Sequence, residues 1–241
     1  MAHPGQVFYL PRDASEGVTK GDRPHVLVSL CPPGSDVVTV AYGSTKATEA
    51  HRGAESVLVI PDASPYRGTG LRHPTYIYPS RLVSIAPNRL GAPAGHIIDE
   101  MPLIRASLRR ALGLGTGVTR SPNVRGVNRR GRVLELTPEM TREWEVRYGL
   151  VVTEPGYSRN SYQQTIVPIL DDDCEVRGLD LVLSADSRFL TLGPLYTRPI
   201  LAVTMVSTVY EPDHIARYLD LVCDMDLMRQ VDAALALHFG I

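Results

Sequence analysis

No uninterrupted apolar run in the sequence approaches the roughly 18 residues that a membrane span needs, so a helical membrane protein is not expected. The opening stretch MAHPGQVFYLPRD has no basic segment followed by an apolar one, which argues against a secretory leader. Cysteine is scarce. Cys31, Cys174 and Cys223 stand far apart and form no CxxC pair, the usage expected of a reduced, cytoplasmic protein. What remains is 44% hydrophobic and 21% charged, enough apolar material for one or two packed cores and incompatible with global disorder.

Acidic residues are missing altogether from 101–134, where eight arginines stand: Arg105, Arg109, Arg110, Arg120, Arg125, Arg129, Arg130 and Arg132. Residues 1–100 balance nine acids against nine Lys or Arg, and residues 135–241 carry seventeen acids against eight arginines. A basic belt thus separates a neutral half from an acidic one. Such a belt attracts phosphate backbones, docks on an acidic neighbour in the same chain, or is a solvated linker.

The two halves can be laid on each other. PGQVFYL near the start meets RGRVLEL at Arg130, and DRPHVLVS meets VRYGLVVT, with Arg23 falling on Arg147. DVVTVAYG meets QTIVPIL, SVLVIP meets LDLVLS, and LVSI meets MVST, with Ser84 falling on Ser207. Each half closes on a segment of helical spacing, PLIRASLRRALGL and DLMRQVDAALAL. The common spacing of about 124 residues implies a duplication of a unit of ordinary small-domain size. The expected division is a first unit over 1–114, a basic Gly/Pro/Arg linker over 115–130, and a second unit over 131–241.

Within each unit, short Val-, Leu-, Ile- and Tyr-rich runs are bounded by Pro, Gly, Asp and Ser, which predicts strands joined by turns. VFYL, HVLVSL, VVTVAY, SVLVIP and YIYPSRLVSI are the strands expected in the first unit. Leu103, Ile104, Leu108, Ala111 and Leu112 are expected on one face of the closing helix. The fold class predicted is mainly β, a small curved antiparallel sheet with one terminal helix per unit.

The order PGQVFYL, GDRPHVLVS, VVTVAYGST, GL at Gly70, YPSRLVSIA and the closing DEMPLIRASLRRALGL resembles the MazF/PemK family of toxin endoribonucleases. The resemblance is fuller over 4–114 than over 131–241. It implies two tandem SH3-like, MazF-like barrels arranged as an intramolecular pseudo-dimer, with higher homo-oligomers open. It implies a cytoplasmic toxin that cuts single-stranded RNA, of the sort found in toxin–antitoxin, stress and phage-defence systems. No metal or cofactor is expected. The ribose 2′-OH would attack the adjacent phosphorus, and donors would hold the phosphate oxygens as charge accumulates.

Arg23 matches the family's arginine before proline, and a guanidinium fits two phosphate oxygens while staying charged. Ser44 or Thr45 matches the family's hydroxyl, so Arg23, Ser44 and Thr45 are the expected catalytic residues. Lys46, Tyr42, Arg81, Glu16 and His25 are expected at the substrate, with His25 on the same strand face as Arg23 by alternation and Glu16 at the family's loop glutamate. The Arg/Asp acid–base pair of some members has no counterpart beside Tyr78, Ser80 and Arg81. In the second unit Tyr148 follows Arg147, and Leu170 or Asp171 stands where Ser44 does, so this copy is expected to be degenerate. The alternative reading is a non-catalytic protein of the same fold that sequesters a regulatory partner such as a transcription factor, or a toxin held by an antitoxin.

Overall fold

The computed structural model describes residues 2–11, 22–30, 36–47, 56–61, 68–114, 129–154, 163–171, 173–183, 196, 198–211 and 213–241. The fold is mainly β: two curled antiparallel sheets, each followed in the chain by a helix. The first sheet contains β1 (Gln6–Leu10), β2 (Arg23–Leu27), β3 (Val38–Ser44), β4 (Val57–Val59), β5 (Thr75–Ile85) and β6 (Gly95–His96), in the order β4-β5-β3-β2-β1-β6. Its helix is α1 (Met101–Ala111). The second sheet contains β7 (Arg132–Leu136), β8 (Tyr148–Val151), β9 (Gln163–Leu170), β10 (Leu181–Val182), β11 (Ile200–Leu201), β12 (Ser207–Tyr210) and β13 (Ile215–Val222). They run β10-β11-β9-β8-β7-β13, with β12 also on β9. Its helices are α2 (Pro138–Trp144) and α3 (Met225–Phe239).

The same backbone contacts recur at corresponding places. Val28 N–H donates to Thr39 O at 3.0 Å, and Ser29 Oγ accepts the Thr39 N–H at 2.9 Å. In the second sheet Val152 N–H donates to Thr165 O at 2.9 Å, and Thr153 Oγ1 accepts the Thr165 N–H at 2.6 Å. Gly5 and Gly131 donate to Leu27 O and Val151 O, both at 2.8 Å, and both glycines have positive φ, 93° and 80°. A methyl group on Gly5 would lie 2.4 Å from the Ile97 carbonyl oxygen, so glycine is required there on two counts.

One hydrophobic cluster serves both sheets. Val7, Val26, Ala41, Leu82, Ile104 and Leu108 from the first half meet Val133, Leu150, Val167, Val231, Leu235 and Phe239 from the second. Burying each such Leu or Ile contributes about 2 kcal/mol relative to exposure. Smaller clusters fill the opposite faces: Phe8, Leu10, Leu27, Val38, Val40 and Leu90 in the first half, and a set including Leu134, Val151, Ile166 and Ile215 in the second.

Contacts across the junction are reciprocal. Leu30 N–H donates to the carbonyl of His238 on α3 at 2.8 Å, and Glu154 N–H donates to that of Ala111 on α1, also at 2.8 Å. Leu82 N–H donates to Thr208 Oγ1 at 2.8 Å, and Ser84 Oγ donates to Val206 O at 2.6 Å. Thr39 Oγ1 lies 2.9 Å from both Ser84 Oγ and His238 Nε2. Since Ser84 gives its proton to Val206, the arrangement that satisfies every contact has His238 Nε2–H donating to Thr39 and Thr39 to Ser84. Burial alone pushes the His238 imidazole down to about 4.

The helices depart from expectation in detail. Met101, Ile104, Leu108 and Ala111 form the buried face of α1, whereas Leu103 is 60% exposed. Spacing explains this: 101, 104, 108 and 111 follow the three-and-four rhythm, and 103 falls off their stripe. Helix α2 was not among the expected elements, although Thr137 caps it at the Met140 N–H and Pro138 stands at its first turn.

The two described arginines at the end of the basic segment are held by their own chain. Arg130 is buried, 7% exposed, and its guanidinium donates to the carbonyls of Leu112 and Val152 and to Asp232 on α3. Burial draws Arg130 below and Asp232 above their ordinary values even though each stabilises the other's charge. Arg129 pairs with Glu211 and stacks on Tyr218, 4.5 Å from the ring centre. For these two residues the acidic neighbour in the same chain takes the place of a phosphate backbone. Arg120 and Arg125 lie outside the described residues.

Candidate functional site

The expected residues gather on β2, β3 and β5. Leu10 pairs with Arg23 and Phe8 with His25, so Arg23 and His25 share the sheet face of the small Phe8–Leu27 cluster, as alternation predicts. On the other side of β2, His25 pairs with Tyr42, and a methyl group on Gly43 would come 2.9 Å from Pro24 O. The strands therefore stay adjacent past the last pair, and that register, carried two steps beyond it, would set Arg23 opposite Ser44. Directly opposed residues of antiparallel strands point to one face. Arg23 and Ser44, 21 positions apart in sequence, thus fall on one face at the same end of the sheet.

Arg23 is half-buried, and its Nε, shielded from solvent, has no hydrogen-bond partner among the described residues. An unmatched guanidinium N–H at a site of this kind favours an anionic acceptor. Ser44 is 8% exposed, and its Oγ accepts the Lys46 N–H at 3.1 Å. That bond uses an acceptor position and leaves the hydroxyl its capacity to donate. Thr45 and Lys46 are exposed just beyond the strand. Tyr78 OH, from β5, fixes this turn by donating to Lys46 O at 3.0 Å. Glu16 lies outside the described residues.

His25 is buried, with Nδ1 3.0 Å from Arg23 O. A carbonyl only accepts, so Nδ1 carries a proton and the imidazole braces the backbone of the arginine beside it. The ring meets Tyr42 edge-on at 5.6 Å, and Tyr42 stacks on Tyr78 at 6.3 Å. Tyr42 and Tyr78 pair across β3 and β5, but the next register pair is Ala41 with Leu82. Pro79, Ser80 and Arg81 are therefore extra residues on β5, a bulge that re-aims side chains. Proline, which has no N–H to offer a ladder, suits that place.

The bulge turns Arg81 over the Tyr42 ring, 4.6 Å from its centre. It also sends Arg81 across the junction, where Nε and Nη2 donate to Tyr210 OH at 3.0 and 2.7 Å. Tyr210 is at the end of β12 and stacks edge-on with His214 at 5.4 Å. Neither Tyr210 nor His214 was among the expected site residues. Their separation from Arg81 in sequence leaves no local pattern that could have flagged them.

The corresponding place in the second half is different. Tyr148 pairs with Ile169, so the register sets Arg147 opposite Leu170 rather than Asp171. No hydroxyl stands there. Arg147 instead donates to Glu135, which also binds Arg217. Burial would raise the Glu135 carboxyl, but hydrogen bonds from the two arginines outweigh it and hold the group below the ordinary carboxylate value. Tyr196, edge-on to Tyr148 at 5.7 Å, is pushed up to about 12, first by burial and then by Tyr148 and Asp171.

Of the remaining arginines, Arg109 Nε donates to Leu114 O and Arg132 to Leu219 O, so both brace the chain. Among the described residues no group of three or more His, Cys, Asp or Glu is placed to hold a metal, and no helix is long and apolar enough to cross a membrane. No model of a known protein family matches the chain, and no curated protein matches it.

Proposed function

We propose that the chain is a MazF-like endoribonuclease, a growth-regulating toxin that cuts single-stranded RNA through its own 2′-OH, with one working site in the first half. The observation that carries this reading is the placement of Arg23 and Ser44 on one face at adjacent strand ends, with Arg23 Nε without a partner among the described residues. Arg23 holds the phosphate oxygens as negative charge builds up, and Ser44 or Thr45 donates to the same group. Lys46 supplies charge at the rim. Tyr42 carries Arg81 over its ring and so holds a second guanidinium near the same strands for the RNA.

The two halves form an SH3-like pseudo-dimer made by duplication. Support comes from the matching strand orders, the recurring glycine and hydroxyl contacts, and the reciprocal hydrogen bonds at the junction. The second copy has lost the chemistry: its arginine is already bound by Glu135, and Leu170 replaces the hydroxyl. Tethering keeps the copies together whatever the protein concentration.

A second reading, a non-catalytic protein that grips a regulatory partner, draws on the exposed apolar residues at the β4 edge, where Leu58 is 42% and Ile60 63% exposed. One assay decides. The protein is incubated in EDTA with mixed-sequence RNA and with a 2′-deoxy counterpart. Cleavage that needs both the 2′-OH and Arg23 is the expected result. Cleavage that survives Arg23→Ala would sink the site, and no cleavage beside stable capture of a regulatory protein would favour the second reading.

A further inference from the structure

Arg81 and Tyr210 belong to different halves of the chain, and the geometry points to Tyr210 as the positioning residue of the first-half site. The inference rests on the proposed RNA reading and extends it: the second half, without chemistry of its own, sets the Arg81 guanidinium against Tyr42.

Ring contacts and hydrogen bonds together define the arrangement. The guanidinium lies 4.6 Å from the Tyr42 ring centre and 5.3 Å from that of Tyr210. Its Nε and Nη2 both donate to the one phenol oxygen. Tyr210 in turn sits on a paired strand, opposite Gln163, and its N–H donates to His214 Nδ1 at 3.4 Å. The bulge Pro79–Arg81 provides the reach, and Thr208 Oγ1 anchors that bulge by donating to Ser80 O at 3.0 Å.

The choice of a phenol matters. A free arginine loses rotamer entropy when it closes on a ligand, and one already held between two rings loses less. A carboxylate would also hold the guanidinium, but it would cancel the charge an RNA phosphate or base must feel. Glu135 offsets part of the Arg147 charge in this way in the second half. Tyr210 holds Arg81 through a neutral oxygen and itself adds no opposing charge. The held cation also fixes the Tyr42 ring against which it lies.

Two measurements test this on the full chain. The first needs no RNA. The Arg81 Nε–H signal in a nitrogen–proton NMR spectrum should exchange slowly in the unaltered protein and rapidly in Tyr210→Phe, which keeps the ring and loses the oxygen. An equally fast signal in both proteins overturns the inference. The second is a mutant cycle read as affinity for a non-cleavable 2′-deoxy-substituted oligonucleotide. Arg81→Ala should weaken binding about tenfold, Tyr210→Phe by several-fold, and the double variant no more than Arg81→Ala alone. Effects that multiply overturn the positioning role while leaving the RNA reading intact, provided that Arg23→Ala still abolishes cleavage of the all-ribose RNA. Failure of the unaltered protein to bind RNA overturns both.

Discussion

Arg147 Nη2 lies 2.7 Å from Glu135 Oε1, and the same carboxylate holds Arg217 through its other oxygen. The arginine that corresponds to Arg23 is thus already satisfied by its own chain, while Arg23 Nε has no partner among the described residues. Arg23→Ala should lower RNA cleavage by about a hundredfold or more, the usual loss when a donor to developing charge is removed. Arg147→Ala should leave the rate within about twofold. Initial rates on one RNA substrate compare them, and equal losses would mean that both halves cut.

Asp232 and Arg130 form a largely buried pair that joins α3 to the end of α1 and to β8. Removing one partner strands the other charge away from water. Asp232→Ala should destabilise the protein by about 3 kcal/mol, read as a shifted urea midpoint. A shift within about 0.5 kcal/mol would show that water or another group satisfies Arg130.

Acid should loosen the junction through His238. Its folded value, about 4, is below the ordinary 6.5 because burial disfavours the charged ring. The unfolded chain therefore takes up this proton first, and the associated stability is present above about pH 6.5 and lost progressively as pH falls towards 4. The full loss amounts to about 3 kcal/mol. Unfolding free energies across that range for the unaltered protein and His238→Gln provide the check. If the two curves have the same slope, His238 is not the group responsible.

A cut within 115–128 should not separate the halves. Their shared cluster and the paired bonds of Leu30 with His238 and Glu154 with Ala111 hold them without the connection. Gel filtration of the nicked chain should give one peak of unchanged volume, whereas two smaller species would show that the linker is a needed tether. RNA cleavage should also stay level. A rise after nicking would mean that the second half shields the first.

Much of the strand plan was legible because Val-, Ile- and Tyr-rich runs between Gly, Pro and Asp carry their own boundaries. The Arg23 strand began two residues earlier than the apolar run suggests, since edge polarity and sheet pairing are separate matters. Strand β13 carries no such unbroken apolar run. Its IARYLDLV mixes charge with apolar residues, and pairing with β7 decides its state more than local preference does. The arginine belt shows a different limit. Composition reports how many cations a segment has, but only the fold shows that Arg130 is buried against Asp232. The partnership of Arg81 with Tyr210 depends on a bulge and a junction, and neither leaves a periodic trace in sequence.

The junction also has a consequence in time. Helix α3 supplies Val231, Leu235 and Phe239 to the common core, and His238 to Thr39 and Leu30 of the first half. Translation makes the first sheet and α1 well before α3, with the whole second sheet in between. The arginine–hydroxyl pair is therefore synthesised early, but the core beneath its sheet closes late. The first sheet thus reaches its finished packing only after the second half has been made.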